Sequence, residues 1–207
     1  MKNKPAFTFI ELLVVIFMYS ILLAGTIDIF VQAQRAQRKV AALEKLQDDA
    51  RFLIQTITQA FQAGGFDYSC YTQGQGQLCK KDLPQESNEA MDILAVKNFE
   101  GRTIQFKRSE NSAECSADIE STPCLLVSDN GGQTWVRGSS DGVKVNVLKF
   151  YISPSQNPFQ LGQDNEYLAH QQPRLTIVFG GTAKIKRFKE TANIFIQTTI
   201  SSREYKR

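Results

Sequence analysis

One apolar run near the N-terminus constrains this chain more than any other feature. From Phe7 to Ile27 the sequence is almost wholly apolar, and Glu11 is its only charged residue. About 20 apolar residues at about 1.5 Å each span roughly 30 Å, which matches the hydrocarbon core of a bilayer. We therefore predict that residues 7–30 form a membrane-spanning helix.

A short basic segment, residues 1–6, precedes this run and contains Lys2 and Lys4. An ordinary secretory signal has its cleavage site after the apolar stretch, whereas the small residue here, Ala6, comes before it. The two lysines indicate a cytoplasmic N-terminus by the positive-inside rule. Everything after the helix is then expected to lie outside the cytoplasm.

The order of these features resembles the prepilin signal of type IV pilins and of type II secretion pseudopilins. The matching residues are the basic leader, Ala6 and the motif Phe7-Thr8-Phe9-Ile10-Glu11. The resemblance implies that a prepilin peptidase cuts between Ala6 and Phe7 and then methylates the new N-terminus on Phe7. It also implies that the helix stays among membrane lipids until an inner-membrane assembly platform extracts it into a filament. The family usually has glycine where this chain has Ala6.

Glu11 is the candidate functional residue of the apolar helix. A carboxylate within a membrane helix is costly, so it marks a functional position by default. The alternative is a residue close enough to the membrane surface to be solvated. The resemblance implies that Glu11 pairs with the α-amino group of a neighbouring subunit during assembly, and a low dielectric strengthens such a pair.

The helix is expected to continue as an amphipathic segment over residues 31–64. Its apolar side chains recur in steps of three and four, which places them on one face of a helix. Gly64-Gly65 supplies the stop signal. A coiled coil is the alternative, but we favour packing on the chain's own sheet. The predicted stripe comprises Val40, Leu43, Leu46, Ala50, Leu53, Ile57 and Phe61.

Residues 65–207 are predicted to form a β-rich domain outside the cytoplasm. The predicted strands are Asp92–Lys97, Thr103–Arg108, Cys124–Ser128, Thr134–Arg137, Val143–Ile152, Arg174–Phe179 and Asn193–Ser201. We expect an antiparallel sheet that packs on the amphipathic half of the helix, an α+β class. The resemblance implies that this is the pilin fold.

The four cysteines are Cys70, Cys79, Cys115 and Cys124. An even number outside the cytoplasm is compatible with disulfides, and three connectivities are possible. Local pairs, Cys70 with Cys79 and Cys115 with Cys124, are favoured because each closes a short, turn-rich loop. Free thiols are the alternative. Zinc is disfavoured by the spacing, so no metal is predicted.

Two further segments resemble the W-type minor pilins of type IV pili and the related J-type minor pseudopilins of type II secretion. They are Gln47–Phe52 with Gln59–Phe66, followed by Cys70, and the final strand Ile196–Arg203. The resemblance implies a subunit that joins other minor and major pilins, helps to start filament assembly and ends at the tip. The cysteine pairs and the length favour the pilus over the secretion system.

The remaining sequence gives little indication of catalysis, and neither an enzyme nor a cofactor is expected. The single histidine, His170, lies in a polar loop. Ser128 to Trp135 resembles one Asp-box hairpin, for which a structural turn is favoured over carbohydrate contact at a filament tip. A basic cluster could bind DNA phosphates, although a solvated surface is favoured. This cluster comprises Lys184, Lys186, Arg187 and Lys189 with Arg203, Lys206 and Arg207.

Overall fold

A computed structural model describes residues 8–71, 79, 89–98, 100–110, 112–115, 123–162, 166–167, 171–184 and 191–202. The chain divides into two units, residues 1–41 and 42–207. One helix, α1 (Phe9–Gly64), begins in the first unit and ends in the second.

In the first unit every residue from Thr8 to Gln37 is exposed. Val40 is also exposed, so its predicted place in the packed stripe is wrong. In the second unit Ala42 and Leu43 are partly buried, and Leu46 is the first fully buried side chain of α1. The predicted positions Ala50, Leu53, Ile57 and Phe61 are all buried, and Ala60 joins them.

Within the described residues, seven strands form two antiparallel sheets. The first sheet has the order β1 (Ile93–Lys97), β2 (Thr103–Arg108), β3 (Leu125–Ser128) and β4 (Val136–Arg137). The second has the order β5 (Val143–Ser153), β6 (Arg174–Lys184) and β7 (Thr191–Ser201). Two short 3-10 helices, Tyr68–Tyr71 and Ser112–Cys115, lie outside the sheets.

The α+β class is confirmed, but the strands form two sheets where the sequence suggested one. The chain leaves the first sheet after β4, which is only two residues long, and β5 then pairs with β6. β4 is shorter than predicted because Thr134 belongs to the preceding turn. β6 continues past Phe179 to Lys184, through Gly180 and Gly181.

The buried stripe of α1 packs on the two sheets in two hydrophobic clusters. Ile57 and Phe61 share the main cluster with Leu94 and Phe106 of the first sheet and with Phe150 of the second. Nearer the start of the unit, Leu46 packs with Val143, Ala183 and Ala192, at one end of the second sheet. This burial of apolar surface is the main stabilising contribution to the domain.

The end of α1 is set by two glycines with different roles. Gly65 has φ 78°, and its N–H donates to the carbonyl of Phe61 at 3.0 Å, which is the left-handed C-cap. Gly64 is helical and lies against the backbone of β1. A Cβ at Gly64 would lie 2.3 Å from the carbonyl oxygen of Lys97, so only glycine allows this approach.

We predict that Gly64→Ala destabilises the domain by about 1–3 kcal/mol, because a Cβ would overlap backbone atoms that cannot move independently. Alanine at an exposed helical site would instead be neutral or favourable by up to about 1 kcal/mol. Gly25→Ala is the matched control, since a Cβ there meets nothing within 4 Å. Chemical denaturation of the full chain in detergent measures both, and equal stability of the two variants would contradict the prediction.

Candidate functional site

The first candidate site is the exposed apolar surface of α1. The large apolar side chains from Phe9 to Val31 are exposed, and Phe9 and Ile10 are 81% and 72% exposed. Between Leu12 and Ile27 the helix carries no charged residue. It is long and apolar enough to cross a membrane by length and composition. An apolar surface of this extent requires lipid or protein partners in place of water.

Glu11 makes a local interaction that the sequence reasoning missed. Its carboxylate accepts hydrogen bonds from the backbone N–H of Thr8 at 3.2 Å and from the Thr8 hydroxyl at 3.1 Å. Thr8 precedes the first residue of the helix, so Thr8-Phe9-Ile10-Glu11 forms half of a capping box. The spacing of threonine and glutamate was the available signal. The carboxylate therefore already has a partner within its own chain.

The residues predicted to be cut and methylated, Ala6 and Phe7, lie outside the described residues, as do Lys2 and Lys4. The described residues also exclude His170 and most of the basic cluster: Lys186, Arg187, Lys189, Arg203, Lys206 and Arg207. Of Lys184 only the backbone, in β6, is described. Across the described ranges, no three His, Cys, Asp or Glu side chains come together as metal ligands.

The chain just after α1 covers the outer edge of β1. The N–H of Lys97 donates to the carbonyl of Gly65 at 3.0 Å, and the N–H of Asp67 donates to that of Ala95 at 3.1 Å. The Tyr71 hydroxyl donates to the carbonyl of Ile93 at 2.9 Å and accepts from the N–H of Ala95 at 2.8 Å. Burial raises the pKa of Tyr71, so the hydroxyl keeps the proton that it donates.

Asp67 is a buried carboxylate in this segment, 3% exposed. Ser69 and Thr103 donate their hydroxyls to it, and the Lys97 ammonium lies 3.4 Å away. Burial by itself would raise the pKa of Asp67, but these hydroxyls and the ammonium outweigh it and hold that pKa below its ordinary value. Asp67 therefore stays charged at neutral pH and ties the segment to β2. Its partners are all structural, so nothing here indicates an acid or base in catalysis.

Both favoured disulfides are present, Cys70–Cys79 and Cys115–Cys124. The first fastens the segment that covers β1, and the amide nitrogen of Gln105 lies 3.4 and 3.5 Å from its two sulfurs. All four cysteines are buried, which fits a structural role rather than reactive thiols.

The hairpin between β3 and β4 is held by its own side chains. The side-chain oxygen Oδ1 of Asn130 accepts from the Ser128 hydroxyl at 2.8 Å and from the N–H of Thr134 at 3.0 Å. Trp135 packs beside the Cys115–Cys124 cluster, and the Lys107 ammonium lies 4.5 Å from its ring centroid. This supports the structural interpretation of the Asp-box-like motif, since the ring is already occupied within the chain.

A groove of about 380 Å³ lies between α1 and the first sheet. Phe52 and Val136 stand exposed at its rim, 57% and 67%, above a largely apolar floor. Its polar lining is limited to Thr56, Asp129 and Arg137, and Arg137 is ion-paired with Asp141 at 2.8 Å. The size and apolar floor of the groove suit an apolar side chain.

Comparisons with known proteins return no match. A scan against protein-family models matches no family to this chain, and searches of curated proteins and of solved structures find no similar protein either. A long N-terminal apolar helix, part of which packs on antiparallel sheets, together with disulfides, is compatible with a pilin fold.

We predict that Tyr71→Phe lowers the free energy of unfolding by about 2 kcal/mol or more, because it leaves a buried carbonyl and a buried N–H of β1 without partners. Tyr68→Phe is the matched control, since its hydroxyl donates to the carbonyl of Pro154 at 3.0 Å and not to β1. We expect the loss of that hydrogen bond to lower the free energy of unfolding by about 1 kcal/mol. Chemical denaturation of the two full-length variants in detergent measures both free energies of unfolding. A larger decrease for Tyr68→Phe than for Tyr71→Phe would contradict this account of the β1 edge.

Proposed function

We propose that this chain is a minor pilin of a type IV pilus. It is cut between Ala6 and Phe7, methylated on Phe7 and held in the inner membrane by residues 7–30, with the β-rich domain outside the cytoplasm. It then joins other minor and major pilins, helps to start filament assembly and takes a place at or near the tip. It has no catalytic role.

One observation carries the proposal: α1 exposes an apolar surface in the first unit of the chain and buries an apolar stripe in the second unit. The stripe from Leu46 to Phe61 is buried in the domain core. The surface from Phe9 to Val31 has no such cover among the described residues. A subunit that moves from lipid into a filament core needs an apolar helix surface in both settings, and this helix provides it.

The disulfides support the proposed location of the domain. Disulfides persist in oxidising compartments such as the periplasm and cell surface and are rare in the cytosol. Both pairs lie after the apolar helix, on the side that the two leader lysines predict to be outside the cytoplasm.

The capping interaction of Glu11 gives its assembly role a concrete form. In the single chain the carboxylate accepts from Thr8. In the proposed filament it faces the positively charged α-amino group of a neighbour, a stronger partner than a neutral hydroxyl. The local bonds then serve as a resting state that keeps the charge partly satisfied until assembly.

We predict that Glu11→Ala and Glu11→Gln both lower incorporation into sheared filaments by about tenfold or more, which corresponds to losing about 1.4 kcal/mol of assembly free energy. Glutamine can keep the capping bond but removes the charge. Asp48→Asn, which removes an exposed charge from the same helix outside residues 7–30, is the control and should leave incorporation unchanged. Immunoblots of the sheared-filament and membrane fractions measure how much of each variant is in filaments relative to the membrane.

The glutamine variant separates the two roles of Glu11. If it assembles like the original chain while Glu11→Ala fails, Glu11 acts only as a helix cap. If Glu11→Ala also assembles normally, the proposed filament role of the carboxylate is wrong.

A further inference from the structure

Most long strand edges of this domain are covered from within the chain. Residues 65–71 satisfy the outer edge of β1, as described above. On the outer edge of β5, Phe150 and Met91 exchange two backbone hydrogen bonds at 2.8 and 3.0 Å. Farther along β5, the N–H of Val145 donates to the carbonyl of Pro123 at 2.7 Å, and Arg108 donates to the carbonyl of Asn146 at 3.0 Å. β4, the outer strand of the first sheet, is only two residues long.

β7 differs from these edges. Its eleven residues pair with β6 in one unbroken register, and no strand or bridge in the described part of the chain pairs with its other side. In an antiparallel ladder about half of the residues of an edge strand turn their N–H and C=O groups outward. β7 thus offers a row of backbone donors and acceptors suited to another strand.

The sequence of β7 lacks the devices that usually block such an edge. Natural edge strands carry charged residues, prolines or bulges that prevent pairing. Thr191 to Ser201 contains no charged residue and no proline, and its register with β6 shows no bulge. Phe195 is 66% exposed on the strand and adds an apolar contact.

We propose that the free edge of β7 is the docking site for an extended, uncharged strand donated by a different subunit of the same filament. The partner strand would add to the β5–β6–β7 sheet through backbone hydrogen bonds and place apolar or hydroxyl side chains beside Phe195. This inference rests on the proposed function, because it takes the partner from the filament's own subunits.

Two arguments select this occupant. The exposed side chains of β7 itself are uncharged, so they match an uncharged partner strand and offer no ion pair to a charged one. A second copy of this chain fits poorly, because antiparallel pairing of β7 with itself requires a two-fold axis perpendicular to the sheet. That axis reverses the direction of every helix lying on the sheet face, whereas chains anchored in one membrane by N-terminal helices must run in the same direction.

The test uses the full chain in its native membrane, with the photo-crosslinker benzoylphenylalanine at position 195 in place of Phe195. The control carries it at Val136, which is equally exposed but lies on β4. We expect a covalent adduct from position 195 only. Its mass should equal this chain plus a different pilin-like subunit, and the crosslinked partner peptide should be an uncharged extended segment.

Substitutions that block strand pairing at β7 test the same contact independently. Gln197→Lys and Asn193→Lys place a charge on the exposed face of β7 and should reduce the adduct about fivefold or more. Gln133→Lys, in the β3–β4 hairpin, is the control. Intact disulfides on non-reducing gels show that each variant is folded. Two edge variants are used so that the contact can still be tested if one of them misfolds.

The outcomes separate this inference from the proposed function. Adducts to a second copy of this chain, adducts equally strong from position 136, or a charged partner segment would overturn it. If position 195 captures nothing while the chain still enters sheared filaments, the docking edge is wrong and the filament role stands. If the chain neither captures a subunit nor enters filaments, both are wrong.

Discussion

The apolar stripe of α1 from Leu46 to Phe61 is the contact on which both sheets depend. Each sheet has an apolar face that must be shielded from water. The same face of α1 covers Leu94 and Phe106 of the first sheet and Phe150 of the second. The side chains of this stripe are buried in the domain. The apolar surface earlier on α1 is exposed, and this helix is long and apolar enough to cross a membrane.

The domain then fixes the end of the helix by polar and covalent contacts. Gly64 approaches β1 closely, and the following residues satisfy the β1 edge through Gly65, Asp67 and Tyr71. The Cys70–Cys79 disulfide fastens the same segment. β1 is thereby closed to further pairing, which leaves β7 as the long edge of the described domain with room for another strand.

Much of this architecture could be predicted from the sequence because it depends on local periodicity. Most of the buried stripe follows from steps of three and four residues, β5 from its alternation, and the helix stop at Gly64-Gly65 from glycine's left-handed conformation. The division into two sheets could not be predicted, since it depends on which strands pair over long range. Tyr71 and Asp67 were also missed, because a polar residue that satisfies a distant strand edge has no local pattern. Thr8 and Glu11 were different: their capping spacing was visible, but the family resemblance directed attention to assembly.

The central claim is that the chain is a processed pilin subunit, and intact-mass spectrometry of the protein from its native membrane, with and without reductant, tests it most directly. The account predicts the loss of Met1 to Ala6, one methyl group on Phe7 and two disulfides that open only under reductant. A chain that retains Met1 to Ala6 would contradict it. Such a chain would be a single-span membrane protein whose N-terminal charge and Glu11 could not pair as a pilin filament requires.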